Sequence, residues 1–479
     1  MEEEKLLLEQ LVKDAKSTIA KIKKQSKDKA TIDSYKLEYE KNDRELRETQ
    51  VGKIQKDKIV TGKEPVKAVR IPVKFAKKIV TTSTAFEVGE PVTLVASEEN
   101  SLSTLFKQIW KINRIDSLIQ KLVMNKKKET QSAIQFYISN IEPNGTLNKI
   151  LVKVGLKAQA KEIKSKVLEN SKGVMTPYFS STGDMILFMW EYESSFNDKT
   201  IQNVEIWSKE RYFYLNNSSG EMAFISNNIA HGFDRIPIVY VSQDEPEWFE
   251  VKELIDRYEV TLSKMGASND YSAYPILMTF GEIKSLPGKD EGGKVINFPI
   301  TPTLADGSTN PFPHGKAEFL TAENAVESQK LEIETIEKLI HYISSTPNLS
   351  FDNLKGLGAM SGVAIKLMFL DAIIKASINK GENRTMIERI INVIMSGMVK
   401  TTNIALAKQS QSLFFDIIFN SILPDDLKEA IDMAVSAKGG GVASSKTVVK
   451  MLGLVDDIDE ELKDIEKDNA SKAPEPATP

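Results

Sequence analysis

The stretch GLGAMSG, residues 356–362, carries glycines at 356, 358 and 362, the kind of run that can cradle a phosphate. A dinucleotide fingerprint needs closer spacing and a preceding strand, whereas a helix and a loop precede this one. A Walker-type lysine must follow glycine directly and stand before Ser or Thr. Lys366 instead sits between Ile365 and Leu367. A second run, GKDEGGK at 288–294, also misses both patterns and reads as a hairpin tip. His231, His314 and His341 are far apart and have no ligand-spaced partner, so each reads as structural. The acidic VDDIDEE at 455–461 lacks the spaced ligands and central glycine of a calcium loop and reads as a solvated helix face. With no cysteine, the chain has no disulfide, thiolate zinc site or cysteine nucleophile. No catalytic constellation stands out, and neither a cofactor nor a metal is expected.

The elements that must carry these residues belong to a chain of ordinary globular composition. Of its 479 residues 41% are hydrophobic and 27% charged, with a formal net charge of −4, enough for about three packed units. Such a balance excludes a polycation, so nucleic-acid contact must be local or weak. The acidic start MEEEKLLLEQL is not expected to act as a secretory signal. No uncharged apolar run reaches about 18 residues, and Lys366 and Asp371 interrupt the strongest candidate, so no membrane span is expected.

Residues 1–58 are rich in charge of both signs and read as a solvated helical arm that docks on a neighbour. From about 70 to 245 the texture is α+β. RIPVKFAKKIV and VGEPVTLVA look like strand pieces, LFKQIWKINRIDSLIQKLVM is helical, and AIQFYISNI, DMILFMWEYESS, NVEIWSKERYFYLNN and IPIVYVS alternate like strands. Trp248, Val251, Leu254, Ile255, Tyr258 and Leu262 mark one face of a helix. Turn-rich strands over 273–319 follow, then a second long helix at about 322–345 that Pro347 ends. A helix from about 361, apolar all round, predicts burial among neighbours or subunits. NKGEN at 379–383 is expected to break or kink it, and SLFFDIIFNSILP to supply one strand.

The order of these pieces resembles the portal protein of tailed double-stranded DNA bacteriophages, of the long-non-contractile-tail type. The resemblance rests on KKIVTTSTAFEVGEPVTL (77–94, with Gly89, Pro91 and Val92), FKQIWKINRIDSLIQKL, VEIWSKERYFYL (204–215) and residues 233–270 with Ile236-Pro237. It continues through SGVAIK (361–366) and GGVASSKTVVKMLGLVDDIDEELKDIEKD, covering about 70–467. The arm before residue 60, ENSLS at 99–103 and the Lys126–Lys128 run have no counterpart in it.

What the resemblance implies is a portal-like α+β fold of wing, stem, clip and crown. Its expected parts are a charged arm (1–60), an α+β wing (61–245), a first stem helix (246–272), a clip (273–321) and a second stem helix (322–346). A tunnel loop (347–360), a long kinked wing helix with a wing strand (361–435), a crown-like helical segment (436–467) and a disordered tail (468–479) follow. It implies that Asn348, Asn353, Lys355, Gly356, Gly358 and Met360 face DNA, and that Ser361, Gly362, Ala364, Ile365, Lys366 and Phe369 pack between subunits. Lys284, Lys289, Asp290, Glu291 and Lys294 become a clip surface for partners. The expected assembly is a homo-oligomeric ring of twelve at one capsid vertex of the virion, built in the host cytoplasm, which passes double-stranded DNA without sequence preference. Its expected partners are the terminase large subunit, a head–tail connector or adaptor, and the major capsid and scaffolding proteins. The rival readings are a helical scaffold without a pore and a nucleotide-dependent enzyme using 356–362.

Overall fold

The computed structural model describes residues 2–40, 56–59, 61–62, 64–65, 67–140, 161–196, 199–272, 276–280, 302–309, 316–320, 326–348, 366–402, 412–422, 427–452 and 458–471. The arm forms α1 (Glu2–Lys13), α2 (Ala15–Lys23) and α3 (Lys29–Glu40). Next come α4 (Phe75–Val88), β1 (Thr93–Ala96), α5 (Ser101–Ile112) and α6 (Ile115–Glu129). The strands β2 (Gln131–Asn140), β3 (Lys161–Leu168), β4 (Gly173–Phe179), β5 (Met185–Phe196), β6 (Lys199–Trp207), β7 (Arg211–Asn216), β8 (Ala223–Ala230) and β9 (Ile238–Ser242) follow. A 3₁₀ turn, Phe249–Val251, leads into α7 (Lys252–Ser272), the short pair β10 (Ile276–Phe280) and β11 (Lys316–Leu320), and α8 (Val326–Ile343). The chain continues through α9 (Leu370–Thr402), β12 (Phe415–Ile418), α10 (Leu427–Gly439), α11 (Ser445–Leu452) and α12 (Ile458–Ser471). The result is the expected α+β class, with small open sheets.

Two sheets organise the middle of the chain. One is an antiparallel meander, β4-β5-β6-β7-β8, and the other has the order β3-β2-β9. Alternation along β6 sends Val204 and Ile206 to one face of the meander and Trp207 to the other. The Trp207 face joins Phe188, Trp190 and Met175 against Ile238 and Tyr240, which fastens the two sheets together. The main core lies between the smaller sheet, α5, α6 and α9, with Leu102, Phe106, Leu122, Ile134 and Ile390 fully buried. Gly397 is required there, because an added Cβ would meet the Phe233 ring at 2.6 Å and Ile163 at 2.8 Å.

Three expectations change. The arm is not solvated but docks on its own chain, where Leu7, Leu11, Ile19 and Ile22 cover Leu187, Met189, Phe213 and Leu215 of the meander. Its apolar clusters are spaced to make one side of two short helices, so charge surrounds a real apolar stripe. RIPVKFAKKIV is helical from Phe75 rather than a strand, since Phe75, Ala76, Ile79 and Val80 pack as a helical face on Trp248 and Ile340. NKGEN does not break the long helix, which continues through 379–383 within α9. One interior glycine costs only about 1 kcal/mol, and both asparagines find buried partners described below. Further on, α10 spans Leu427–Gly439 and α12 spans Ile458–Ser471.

The unassigned motif at 99–103 is a helix start. Asn100 accepts from the Ser103 amide at 2.9 Å, while Ser103 Oγ accepts from the Asn100 amide at 2.9 Å, a reciprocal capping box. Along α7, Glu259 and Ser263 accept from the amides of Val73 and Ile71 at 3.1 and 3.0 Å, so the extended 71–73 strip runs beside that helix.

If the arm is a structural cover, Leu11→Ala should cost about 2–5 kcal/mol by leaving a cavity on the meander. Urea unfolding and limited proteolysis of residues 2–40 measure this, with faster cleavage of the arm expected.

Candidate functional site

The densest polar constellation among the described residues lies where four segments cross. On α4, Ser83 and Glu87 stand one turn apart. Lys127 comes from the last turn of α6 and Glu247 from the link between β9 and α7. From α9 come Lys375, Asn379 and Asn383, spaced by four and therefore on one helix face. Lys127 Nζ lies 2.8 Å from Glu87 Oε1 and 3.1 Å from Glu247 Oε2, and donates to Ser83 Oγ at 2.8 Å. The Lys127 and Glu87 side chains are each only 1% exposed. Asn379 and Asn383 donate to the two oxygens of Glu87 at 2.6 and 2.9 Å, and Ser83 donates to Glu247 at 2.8 Å. Lys375 Nζ pairs with Glu247 Oε1 at 2.7 Å.

Two cations and two carboxylates therefore balance inside the protein, with amide and hydroxyl donors taking up the remaining lone pairs. Burial pushes the Glu247 carboxyl up, but Lys127, Lys375 and the bonds from Lys375 and Ser83 outweigh it and hold it below the ordinary range. Such a cluster acts as a structural lock: every strong donor and acceptor is engaged, and no side chain is poised as a nucleophile or base.

Around this hub run the ends of the segment expected to line a channel. The last turn of α8 closes with Ser345 in the left-handed region, φ 54°, and the Thr346 amide donating to His341 O at 3.0 Å. The His341 ring is buried beside Phe75, with Nδ1 3.0 Å from Thr346 O, so this histidine serves the fold. His231 likewise holds Ser208 O, at 3.1 Å. Lys375 also donates to Ser344 O at 3.0 Å, joining this corner to α9.

Of the residues expected to face DNA or a neighbouring subunit, three are described. Asn348 turns back to Glu337, 3.4 Å away on α8. Lys366 opens a short helical turn, 366–368, and is exposed. Phe369 interrupts that turn and packs against Phe86 of its own chain, with ring centroids 5.8 Å apart. Asn353, Lys355, Gly356, Gly358, Met360, Ser361, Gly362, Ala364 and Ile365 lie outside the described residues, as do His314 and Lys284, Lys289, Asp290, Glu291 and Lys294. The described part of the apolar helix opening is not buried within the chain: Leu367, Met368, Leu370, Ile374 and Ile378 are exposed. The hub itself was not visible as a site. Its only sequence signals were the Lys126–Lys128 run and one lysine ending an apolar stretch.

Among the described residues no three His, Asp or Glu side chains come together as a metal site, and no helix is long and apolar enough to cross a membrane.

Residues 20–475 match the family described as phage portal protein, SPP1 Gp6-like. The chain belongs to this family. It is also similar to the portal protein of Clostridium phage phiCD119, with 21% identity over 265 residues, 54% of each chain. The match thus spans about half the length of that curated relative. A solved chain from the neck of an empty GTA particle, computed with C6 symmetry, is similar at 10% identity and a TM-score of 0.34, covering 79% of this chain and 89% of that one. In this portal-family chain the match begins at residue 20, within α2, so α1 stands outside it and α3 falls within it.

Removing one partner from the buried hub should be costly. Lys127→Met is expected to lower stability by about 3–5 kcal/mol, because two carboxylates then share a buried site with one fewer cation. For Glu247, whose folded-state pKa lies below the unfolded value, the stabilisation is full above about pH 4.3 and is lost as pH falls through the lower folded value. Thermal melts at stepped pH should therefore show Glu247→Gln and the parent protein converging in acid.

Proposed function

We propose that the chain is the subunit of a portal ring at one capsid vertex, a structural channel through which double-stranded DNA is packaged and later ejected. Family membership supports the class of function. The observation that carries the ring is the unequal covering of α9. Its second half is core, with Ile387, Ile390, Ile394 and Met398 fully buried. Its first half presents Leu370, Ile374 and Ile378, spaced by four on one face, with Ile378 75% exposed. On α8, Ile336 and Ile340 are buried while Leu331, Leu339, Tyr342 and Ile343 remain open, so the apolar face is wider than its own chain can cover. Contiguous open apolar faces of this kind mark protein contacts. In a ring each contact is heterologous and closes by rotation.

On this reading α7 and α8 form the stem. They lie side by side, with Arg257 on Glu332 at 2.6 Å, and β10 and β11 begin the clip beyond them. The tunnel loop expected at 347–360, including Lys355, Gly356 and Gly358, would face the DNA. Glycine suits a crowded channel wall, and few cations let a polyanion slide. A formal charge of −4 per subunit fits such a wall. Twelve subunits remain the expected stoichiometry. A terminase large subunit at the clip, a connector after packaging, and capsid and scaffolding proteins around the wing are the partners proposed.

Ile374→Asp combined with Ile378→Asp should leave the fold intact, since both side chains are open to solvent in the single chain. Sedimentation is expected to show the double variant as monomer with unchanged circular dichroism. Rings of normal size would overturn the placement of the contact.

A further inference from the structure

Glu205 stands on the face of the meander that carries Trp190 and Trp207, and takes no part in the hub or in the open faces of α8 and α9. The strand register places Trp190 of β5 directly opposite it on one side and Tyr214 of β7 on the other. Its diagonal neighbours are Tyr192, paired with Asn203, and Tyr212, paired with Trp207. Alternation puts all four rings and the carboxylate on one face. Trp190 is buried, whereas Glu205, Tyr192, Tyr212 and Tyr214 are half-buried, so each of these still meets solvent.

The rings are fixed by their own polar ends. Tyr192 donates to Glu205 Oε1 at 2.9 Å, and Tyr212 donates to the same carboxylate. Tyr214 donates to Asn203 Oδ1 at 2.8 Å and accepts from Asn216 at 3.2 Å. Stacking adds to the order: Trp190 and Tyr192 have ring centroids 6.2 Å apart with planes at 28°, and Trp207 and Tyr212 lie 5.5 Å apart at 40°. A carboxylate offers about four lone-pair positions, and two phenols leave some of them open. Among the described residues no lysine or arginine pairs with Glu205, so its charge meets only neutral donors. A partly enclosed charge is ordinarily paired. We propose that this patch binds an arginine side chain of another protein. A guanidinium donates in a planar fork to a carboxylate and lies flat on aromatic rings, whereas an ammonium is a compact point charge. Arg70, Arg235, Arg257 and Arg384 of this chain already lie on carboxylates of their own, which favours a different protein over a neighbouring copy as the source. The patch lies on the meander, so the assignment does not rest on the channel reading.

Titration of the purified full chain with the capped peptide acetyl-Gly-Arg-Gly-amide, followed by tryptophan fluorescence, tests this. The citrulline counterpart keeps the shape of the side chain without its charge and should bind about tenfold more weakly. The lysine counterpart should fall between the two. Glu205→Gln keeps an acceptor for both tyrosines and should weaken the arginine peptide by about tenfold, whereas Glu193→Gln, on the other face of β5, should leave it unchanged. The comparison of the three peptides uses the parent chain alone, so it decides the matter even where Glu205→Gln unfolds. No binding of the arginine peptide, equal binding of the citrulline peptide, full binding by a folded Glu205→Gln, or an equal loss in Glu193→Gln would overturn the site. Equal binding of the lysine peptide would overturn the choice of arginine. Excess arginine peptide should leave the sedimentation of the parent chain unchanged; dissociation of its assemblies would place a neighbouring copy in the site and overturn the assignment to another protein.

Discussion

The buried attraction between Lys127 and the carboxylates of Glu87 and Glu247 is the constraint on which the rest of the structure depends. It joins the end of α6, the last turn of α4 and the link that turns β9 into α7. A buried charge without its partners costs several kcal/mol, so these segments can meet in only one arrangement. Replacement of the whole set by well-packed apolar residues could be neutral or better for stability. What the charges supply is therefore position. An apolar helix can slide or rotate against an apolar neighbour at small cost, whereas the spacing of Lys375, Asn379 and Asn383 fixes α9 in both rotation and register.

That registration decides which side of α9 is left uncovered. With the polar stripe turned toward Glu87 and Glu247, the stripe of Leu370, Ile374 and Ile378 faces out, and the second half of the same helix enters the core. A stretch that is apolar all round thus divides its work: the chain's own fold buries one part, and another molecule is left to bury the remainder. The arm adds a second brace. Glu38 accepts from Trp248 Nε1 at 3.1 Å and pairs with Lys252 at 2.5 Å, while Lys27 donates to the carbonyls of Thr130 and Gln243. The link that carries Glu247 is thereby gripped from α3 as well as from the hub. Burial lowers the Lys27 pKa against the pull of Asp244 and Glu245.

Much of this fold was legible because periodicity reports burial. The face Trp248–Val251–Ile255 and the alternation in β5 through β7 translate directly into elements. The strands Lys161–Leu168 and Ala223–Ala230 did not, because one is half lysine and glutamate and the other is an exposed edge. RIPVKFAKKIV misled because its β-branched residues satisfy either period over so short a span. The arm misled because charge dominates its composition while its apolar stripe is narrow. The hub was illegible for a different reason. Glu87, Lys127, Glu247 and Lys375 come from four distant places, and each alone looks like a surface charge. Only the fold brings them together. The Asn and Gly of NKGEN signal a break in isolation, yet a buried carboxylate gives both asparagines a helical role.

A three-dimensional reconstruction by electron microscopy of the purified full chain bears most directly on whether the hub presents α9 for ring assembly. A closed ring with an axial opening is expected, in which Leu370, Ile374 and Ile378 lie against the adjacent subunit and Lys127 stays enclosed by Glu87 and Glu247. A particle without a channel, or a ring in which that apolar stripe faces solvent, would contradict it.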